Sequence, residues 1–297
     1  MTKPDDIIKA MEGVKWVINC AEVSEHNDSS EYDRVNVGGV RELIEAAFHH
    51  SVPYLIHMSS SEVCCGDNAN YYGAENTVMV PKRHLRSHYA RSKYQAELLV
   101  GKADGRSLGD GIHRLRAIIL RPTMLYGELD ERFVVRAMKT AQTFRGVLPR
   151  ISNVFTRVQP CYVGNAAWAC IQAKQRIGRD SSLGGEEFFI TDDTQIADAF
   201  EFCQPFLKKR GMRVSQVAIP LWVLTIFVLL LRLILDPIRS VYHLRVPHAY
   251  RLSTIRLWCT THFFNRTKAT LRLDYEPLYD PNECNRLAVE YYSKCKI

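Results

Sequence analysis

Pro53-Tyr54-Leu55-Ile56-His57-Met58, running straight into Ser59-Ser60-Ser61, is the stretch on which the fold turns. It is a short apolar run, the pattern of a strand buried on both faces of a parallel sheet. Upstream, Val14-Lys15-Trp16-Val17-Ile18-Asn19-Cys20-Ala21 is a run of the same kind. Between the two, residues 35–50 place Val40, Leu43, Ile44 and Ala47 at helical spacing, with Asn36 near the start. Downstream, a loop to Arg86 leads into a helix bearing Tyr89 and Lys93, and residues 115–120 read as a third strand closed by Arg121-Pro122. Strand, helix, strand, helix, strand in that order predicts an α/β fold on a doubly wound parallel sheet. Ligands of such sheets gather at the carboxyl ends of the strands, where Ser60 and Pro122 fall.

Past residue 122 the pattern loosens. The chain divides into residues 1–150, the sheet domain, and residues 151–297, a substrate-side region interleaved with it. In the second part, 164–177 reads as a helix, 187–190 as a strand, 194–209 as a helix, and a terminal helix starts near Pro281. Residues 217–235 are apolar, interrupted only by Pro220, Thr225 and Arg232. The charge-free part, 217–231, falls short of the ~18 apolar residues expected of a spanning helix. A tilted span, an in-plane anchor and a buried helix all fit that length; membrane association is the expectation. A basic, aromatic stretch from Arg239 to Phe264 follows.

Tyr89-Ala90-Arg91-Ser92-Lys93 carries the chemistry. Residues four apart share a helix face, so a lysine ammonium there lowers the pKa of the phenol from its usual value near ~10. A serine hydroxyl from the end of a neighbouring strand would hold a carbonyl or alcohol oxygen against that phenol. The three groups together suit carbinol–carbonyl interconversion. Spacing alone does not select them, because Tyr292-Ser293-Lys294-Cys295-Lys296 repeats it in a polar tail. The setting of the first copy does.

Composition narrows the partners. A chain of 297 residues with 46% hydrophobic content has ample material for a core. The net charge of +7 comes from scattered basic residues, so no nucleic-acid partner is expected. Nine cysteines without metal-type spacing predict reduced thiols on the cytosolic side and no metal site. Met1-Thr2-Lys3-Pro4-Asp5-Asp6 has no apolar core of a signal peptide, so none is expected.

Several motifs occur in order and at matched spacings. These are Asn19-Cys20-Ala21, Val35-Asn36-Val37-Gly38-Gly39, Ser59-Ser60-Ser61-Glu62-Val63, Tyr89-x-x-x-Lys93 and Leu120-Arg121-Pro122-x-x-x-Tyr126-Gly127. The set resembles the extended short-chain dehydrogenase/reductases. Residues 162–169, residues 188–194 and Leu273-Asp274-Tyr275-Glu276-Pro277-Leu278-Tyr279 narrow the resemblance to the 3β-hydroxysteroid dehydrogenase/Δ5→4-isomerase family. It implies a Rossmann-like sheet, with Tyr89 as general acid/base, Lys93 as its pKa-lowering, ribose-binding partner and Ser60 as donor to the substrate oxygen. Cys20, Ala21, Asn36, Lys93, Pro122 and Thr123 would lie on the cofactor side. Asp192-Asp193 would be either a carboxylate pair able to move a proton between carbons or a solvated turn after a strand; the turn is the expectation.

One part of the family pattern is missing: no glycine-rich Gly-x-x-Gly-x-x-Gly turn occurs. That turn holds the dinucleotide pyrophosphate. The expectation is therefore an N-terminally truncated Rossmann-like domain with the strand at 14–20 left at an unpaired edge. The resemblance implies oxidation of a 3β-hydroxysteroid to the 3-ketosteroid with NAD, NADP not being distinguished, with room for Δ5→4 isomerisation and for a homo-oligomer. A sterol substrate and an endoplasmic-reticulum or mitochondrial membrane surface are the implied partners. Rival readings are a decarboxylating sterol 4α-carboxylate 3-dehydrogenase, and a non-catalytic relative that binds lipid at a membrane.

Overall fold

The computed structural model describes residues 4–23, 29–152, 156–242 and 252–297. Its centre is a four-stranded, all-parallel sheet. Trp16–Asn19 pairs with Tyr54–Met58, which pairs with Arg116–Pro122, which pairs with Glu187–Ile190. The two apolar runs and the third strand expected from sequence thus lie side by side in chain order. The third strand runs on through Arg121 and ends on Pro122: Arg121 pairs with Phe189 and Pro122 with Ile190. The fourth strand comes from the second half of the chain, so the two halves share one sheet. Trp16–Asn19 is an edge of that sheet, and Ile18 on it is 38% exposed.

Alternation along the strands decides which helices cover which face. Leu55, Ala117 and Ile119 point to one side, where Val40, Leu43, Ile44, Ala96 and Val100 meet them. These come from the helices Gly39–His49 and Ser87–Ala103, with Pro4–Ala10 at the margin. Ile56, Ile118 and Leu120 point to the other side, against Ala169, Ala173 and Ile177 of the helix Val163–Ile177 and against Ala269 and Leu273 of Thr267–Leu273. Because successive side chains of a strand face opposite ways, a continuous apolar run supplies two cores at once. The result is a doubly wound α/β sheet.

A third core lies beyond the carboxyl ends of the strands. Met138, Phe200, Phe206 and Tyr292 fill it from three helices, Val134–Thr143, Ala199–Lys208 and Pro281–Lys294, joined by Phe133 just ahead of the first. The terminal helix starts as expected, with Asp280 accepting from the Asn282 and Glu283 amides and Pro281 in its first turn.

Three boundaries differ from the sequence reading. The helix expected at 194–209 is Ala199–Lys208, because the Asp198 carboxylate caps it and Val158 and Ala197 bridge just before. The segment 35–50 opens with a π-helical turn, Asp33–Gly38, before the α-helix begins. Residues 217–235 are not one element: Arg213–Pro220 is a strand and the helix is Leu221–Tyr242. Pro220 has no amide to give a helix, and the strand ends on it. Among the described residues no helix is long and apolar enough to cross a membrane. Residues 243–251 of the basic, aromatic stretch lie outside the described residues; the rest of its C-terminal part is the helix Leu252–Trp258 and the strand His262–Phe264.

Candidate active site

A cleft of about 680 Å³ opens at the carboxyl ends of the sheet strands. Ser60, Tyr89, Lys93, Cys20, Pro122 and Thr123 all line it. Each arrives by a short route. Ser60 is the first residue past the Tyr54–Met58 strand and its Ser59 neighbour, extended at φ −159°, and its Oγ accepts from the Glu62 amide at 3.2 Å. Pro122 ends the third strand and Thr123 follows it. Tyr89 and Lys93 sit one turn apart on the helix Ser87–Ala103.

Ala21 and Asn36 are not on the cleft wall. Asn36 is 2% exposed; its Oδ1 accepts from the Val23 amide at 3.2 Å and its Nδ2 donates to Ser92 Oγ at 2.9 Å. Ser92 in turn donates to the Tyr89 carbonyl at 2.8 Å. Asn36 therefore ties the segment after the first strand to the tyrosine helix and acts on the site through that brace. Ala21 gives its amide to Asn19 Oδ1 at 3.1 Å, which shapes the turn leaving the strand.

The charges around Tyr89 differ from the expectation. Tyr89 Oη donates to Glu22 Oε2 at 3.1 Å. Lys93 Nζ donates to the Met58 carbonyl at 2.9 Å and lies 3.3 Å from the same Glu22 oxygen. Arg132 reaches the other Glu22 oxygen at 2.9 Å. The guanidinium groups of Arg86 and Arg132 sit over the phenol ring at 4.5 and 5.0 Å. Burial first, and the Glu22 carboxylate second, push the Tyr89 pKa up; the cationic side chains of Arg132 and Arg86 work against them. The lysine thus neutralises Glu22 rather than lowering the phenol directly. Burial pushes the Glu22 carboxyl up, but Lys93 and Arg132 outweigh it and hold it below its ordinary value. Tyr89 is a neutral phenol donating to a carboxylate.

Glu22, Arg132 and Arg86 were not singled out from the sequence. Glu22 stands two residues after Cys20, and that nearness to a strand end was the one available signal. Arg132 carried none, because it reaches the site from the loop before Phe133, also donating to the Val23 carbonyl at 2.8 Å.

The acids that were singled out serve the framework. Asp192 is buried, accepting from the Tyr162 amide at 2.8 Å, Asn165 Nδ2 at 2.9 Å and the Thr194 amide at 3.0 Å. Asp193 pairs with Arg266 at 2.8 Å. The two make a turn after the fourth strand. Glu62 is bound to Arg86 at 2.7 Å. In the second Tyr-x-x-x-Lys copy, Tyr292 is fully buried; its Oη accepts from the Gly127 amide at 2.8 Å and donates to Asp130 at 3.0 Å. The helix ends at Lys294, so Lys296 does not share its face.

The cleft has room and chemistry for the nicotinamide end of a dinucleotide. Ser59 Oγ and Thr123 Oγ1 are buried there without a hydrogen-bond partner. Two orphaned hydroxyls at adjacent strand ends suit a carboxamide, since buried polar groups otherwise find partners. Pro122, Ile18 and Cys20 add a smaller, less polar wall. Phe133, Leu257, Trp258 and Phe264 give the cleft further apolar lining, with the Phe133 and Trp258 rings packed edge to face at 5.4 Å.

The sequence profile of the 3-beta hydroxysteroid dehydrogenase/isomerase family matches residues 1–221. The chain is 29% identical to mouse 3 beta-hydroxysteroid dehydrogenase type 7, covering 98% of this chain and 80% of that protein. It is 28% identical to zebrafish short-chain dehydrogenase/reductase family 42E member 1 over 84% of this chain, and spans 64% of that relative's length. In shape it is similar to a dTDP-glucose 4,6-dehydratase from Streptomyces venezuelae solved with NAD, at a TM-score of 0.68 and 16% identity, covering 99% of this chain and 77% of the other. A Bacillus cereus UDP-glucuronic acid 4-epimerase in complex with NAD is similar at 0.67 and 15%, covering 97% and 78%. At such identities the solved structures speak to the Rossmann-type fold alone.

Proposed function

The chain belongs to the 3-beta hydroxysteroid dehydrogenase/isomerase family, and we propose that it oxidises the 3β-hydroxyl of a steroid or sterol to a ketone with NAD. One observation carries this reading: Ser60, Tyr89 and Lys93 line one cleft at the carboxyl ends of parallel strands, together with the apolar side chains of Phe133, Leu257 and Trp258. Bound NAD would supply the hydride acceptor. The apolar wall of Phe133, Leu257 and Trp258 would hold the ring system of a sterol. Ser60 Oγ would donate to the substrate oxygen and Tyr89 Oη would take its proton. For that step the phenol must hand its own proton on, and Glu22, already hydrogen-bonded to Oη, is the adjacent acceptor. Lys93 and Arg132 keep that carboxylate ionised and therefore able to accept.

The same reading includes association with a membrane surface. The helix Leu221–Tyr242 leaves Trp222, Val223, Ile226, Phe227, Leu230 and Leu233 at least 38% exposed while Val228 is buried. An apolar face of this size on a helix too short in apolar length to span fits an in-plane anchor. A sterol substrate would partition into the same layer.

The test is turnover of a 3β-hydroxysteroid by the 297-residue protein with NAD, followed by NADH formation and product analysis. Expected are a 3-ketosteroid as product and a loss of roughly 10²–10⁴ in rate in Tyr89→Phe with the fold intact. A 4-carboxysterol tested in parallel distinguishes a decarboxylating reaction by carbon dioxide release. Turnover unaffected by Tyr89→Phe, or none with either steroid class, would overturn the reading.

A further inference from the structure

His262 is 8% exposed and lines the cleft, yet neither Nδ1 nor Nε2 has a hydrogen-bond partner among the described residues. Buried polar groups are ordinarily paired, so an orphaned imidazole on a cavity points to a ligand. Polar side chains near it that also line the cleft are committed elsewhere. Gln159 donates to the Phe264 carbonyl at 3.2 Å and accepts from the Phe264 amide at 2.9 Å. Thr260 donates to the Arg256 carbonyl at 2.8 Å.

The imidazole reaches the cleft by its own route. The strand His262–Phe264 pairs with Asn70–Gly73 outside the four-stranded sheet, with His262 in register with Asn70. It therefore comes from a different element than Ser60, Tyr89 and Lys93. Leu257, Trp258 and Phe264, close to it in the chain, are apolar lining of the same cleft. A polar point in such surroundings fixes the orientation of a largely apolar ligand. Burial lowers the His262 pKa to about 4; the Gly66 backbone opposes this but lies outside hydrogen-bond geometry. At neutral pH the ring is uncharged, with one N–H donor and one bare acceptor nitrogen. A hydroxyl suits it whichever nitrogen carries the proton, because a hydroxyl both donates and accepts.

We propose that His262 is a specificity-determining residue that hydrogen-bonds a second hydroxyl of the substrate, distinct from the 3β-hydroxyl held by Ser60 and Tyr89. The inference rests on the steroid reading and deepens it: the preferred substrate is a diol. A steroid lacking that hydroxyl leaves the imidazole buried and unpaired in the complex, which is how such a site discriminates. His262 moves neither hydride nor proton; it selects the molecule on which Tyr89 acts.

The experiment is equilibrium dialysis of the full chain with NADH present, so that steroids bind without being oxidised. The probes are a 3β-monohydroxysteroid and a panel of its derivatives, each with one further hydroxyl at a different ring or side-chain position. At least one diol is expected to bind roughly tenfold more tightly than the monohydroxysteroid. In His262→Phe that ratio should fall to about one, with the fold checked by circular dichroism. His262→Gln, which keeps a donor and an acceptor, should retain a preference for the diol. No preferred diol in the parent protein, or the same preference in His262→Phe, would overturn this inference and leave the steroid reading standing. Failure of every steroid to bind would overturn both.

Discussion

Tyr89 gives its phenolic hydrogen to Glu22 at 3.1 Å, while Lys93, one helical turn away, gives its charge to the same carboxylate oxygen at 3.3 Å. The phenol and the ammonium thus communicate through a carboxylate. Glu22 raises the phenol and is itself held ionised by Lys93 and Arg132.

Glu22→Gln removes the negative charge beside the phenol. The Tyr89 pKa should fall, because a nearby anion disfavours the phenolate. Because Glu22 is also the group that takes the phenol's proton in the proposed oxidation, kcat for steroid oxidation should nevertheless fall by roughly 10²-fold or more in this variant. An unchanged kcat would show that Glu22 is not the acceptor.

Arg121 and Glu97 join the third strand to the tyrosine helix by two hydrogen bonds, 2.9 and 2.7 Å, with both side chains under a tenth exposed. Arg121→Met leaves the Glu97 charge buried without its fork. A loss of about 3–5 kcal/mol in unfolding free energy is expected, from chemical denaturation at neutral pH. A loss below about 1 kcal/mol would mean that water or Lys93 replaces the guanidinium.

His57 is fully buried in the second strand, its Nδ1 within 3.1 Å of Asn19 Nδ2. Burial, and then the Lys93 charge, lower its pKa to about 3 from an ordinary 6.5. The unfolded chain therefore binds a proton that the folded chain refuses between these values. The His57 contribution is complete above pH 6.5 and is lost as pH falls toward 3. In His57→Gln the stability difference between pH 7 and pH 5 should shrink by about 2 kcal/mol, read from denaturant titrations at both. An unchanged difference would place the acid sensitivity in other groups, His262 first, since burial lowers it to about 4.

Trp222 and Phe227 are 67% and 55% exposed on the Leu221–Tyr242 helix. If this face lies on lipid, Trp222→Ser and Phe227→Ser should each weaken binding to phosphatidylcholine vesicles by roughly tenfold, given ~1.5–3 kcal/mol for burying a large apolar side chain. Flotation of the variants alongside the parent protein reads it directly. Equal flotation would assign the face to another partner.

The sheet was legible because burial on both faces makes a strand largely apolar, and residues 54–58, apart from His57, and residues 117–120 carry that mark. The fourth strand, Glu187–Ile190, was seen as a strand, but its place in the same sheet was not, since a four-residue run does not name its neighbour. That Ser60, Tyr89 and Lys93 meet in one cleft was legible by order and spacing. The partners of Tyr89 were not, because Glu22 and Arg132 are joined only in space and by charge. A local pattern contains no term for that. The same limit hid the partners of Lys93, which lies in the cleft at the expected spacing from Tyr89 but whose ammonium is bonded to the Met58 carbonyl and paired with Glu22.

Gly127 takes φ +118°, and a side chain there would run into the Tyr162 ring at 2.8 Å, so the turn after the Tyr126 motif admits little but glycine. Its amide is satisfied by Tyr292, 165 residues further along. That separation gives the turn a high contact order, and contacts of this kind form late because the loop must close before they stabilise anything. The sheet can assemble from strands that meet in chain order; the Gly127 turn must wait for the terminal helix. Pulsed hydrogen exchange during refolding should protect the Leu120 amide before that of Gly127, and the reverse order would sink this account. Residues 128–132, which follow that turn, line the cleft, so this side of it takes shape only once the terminal helix has docked.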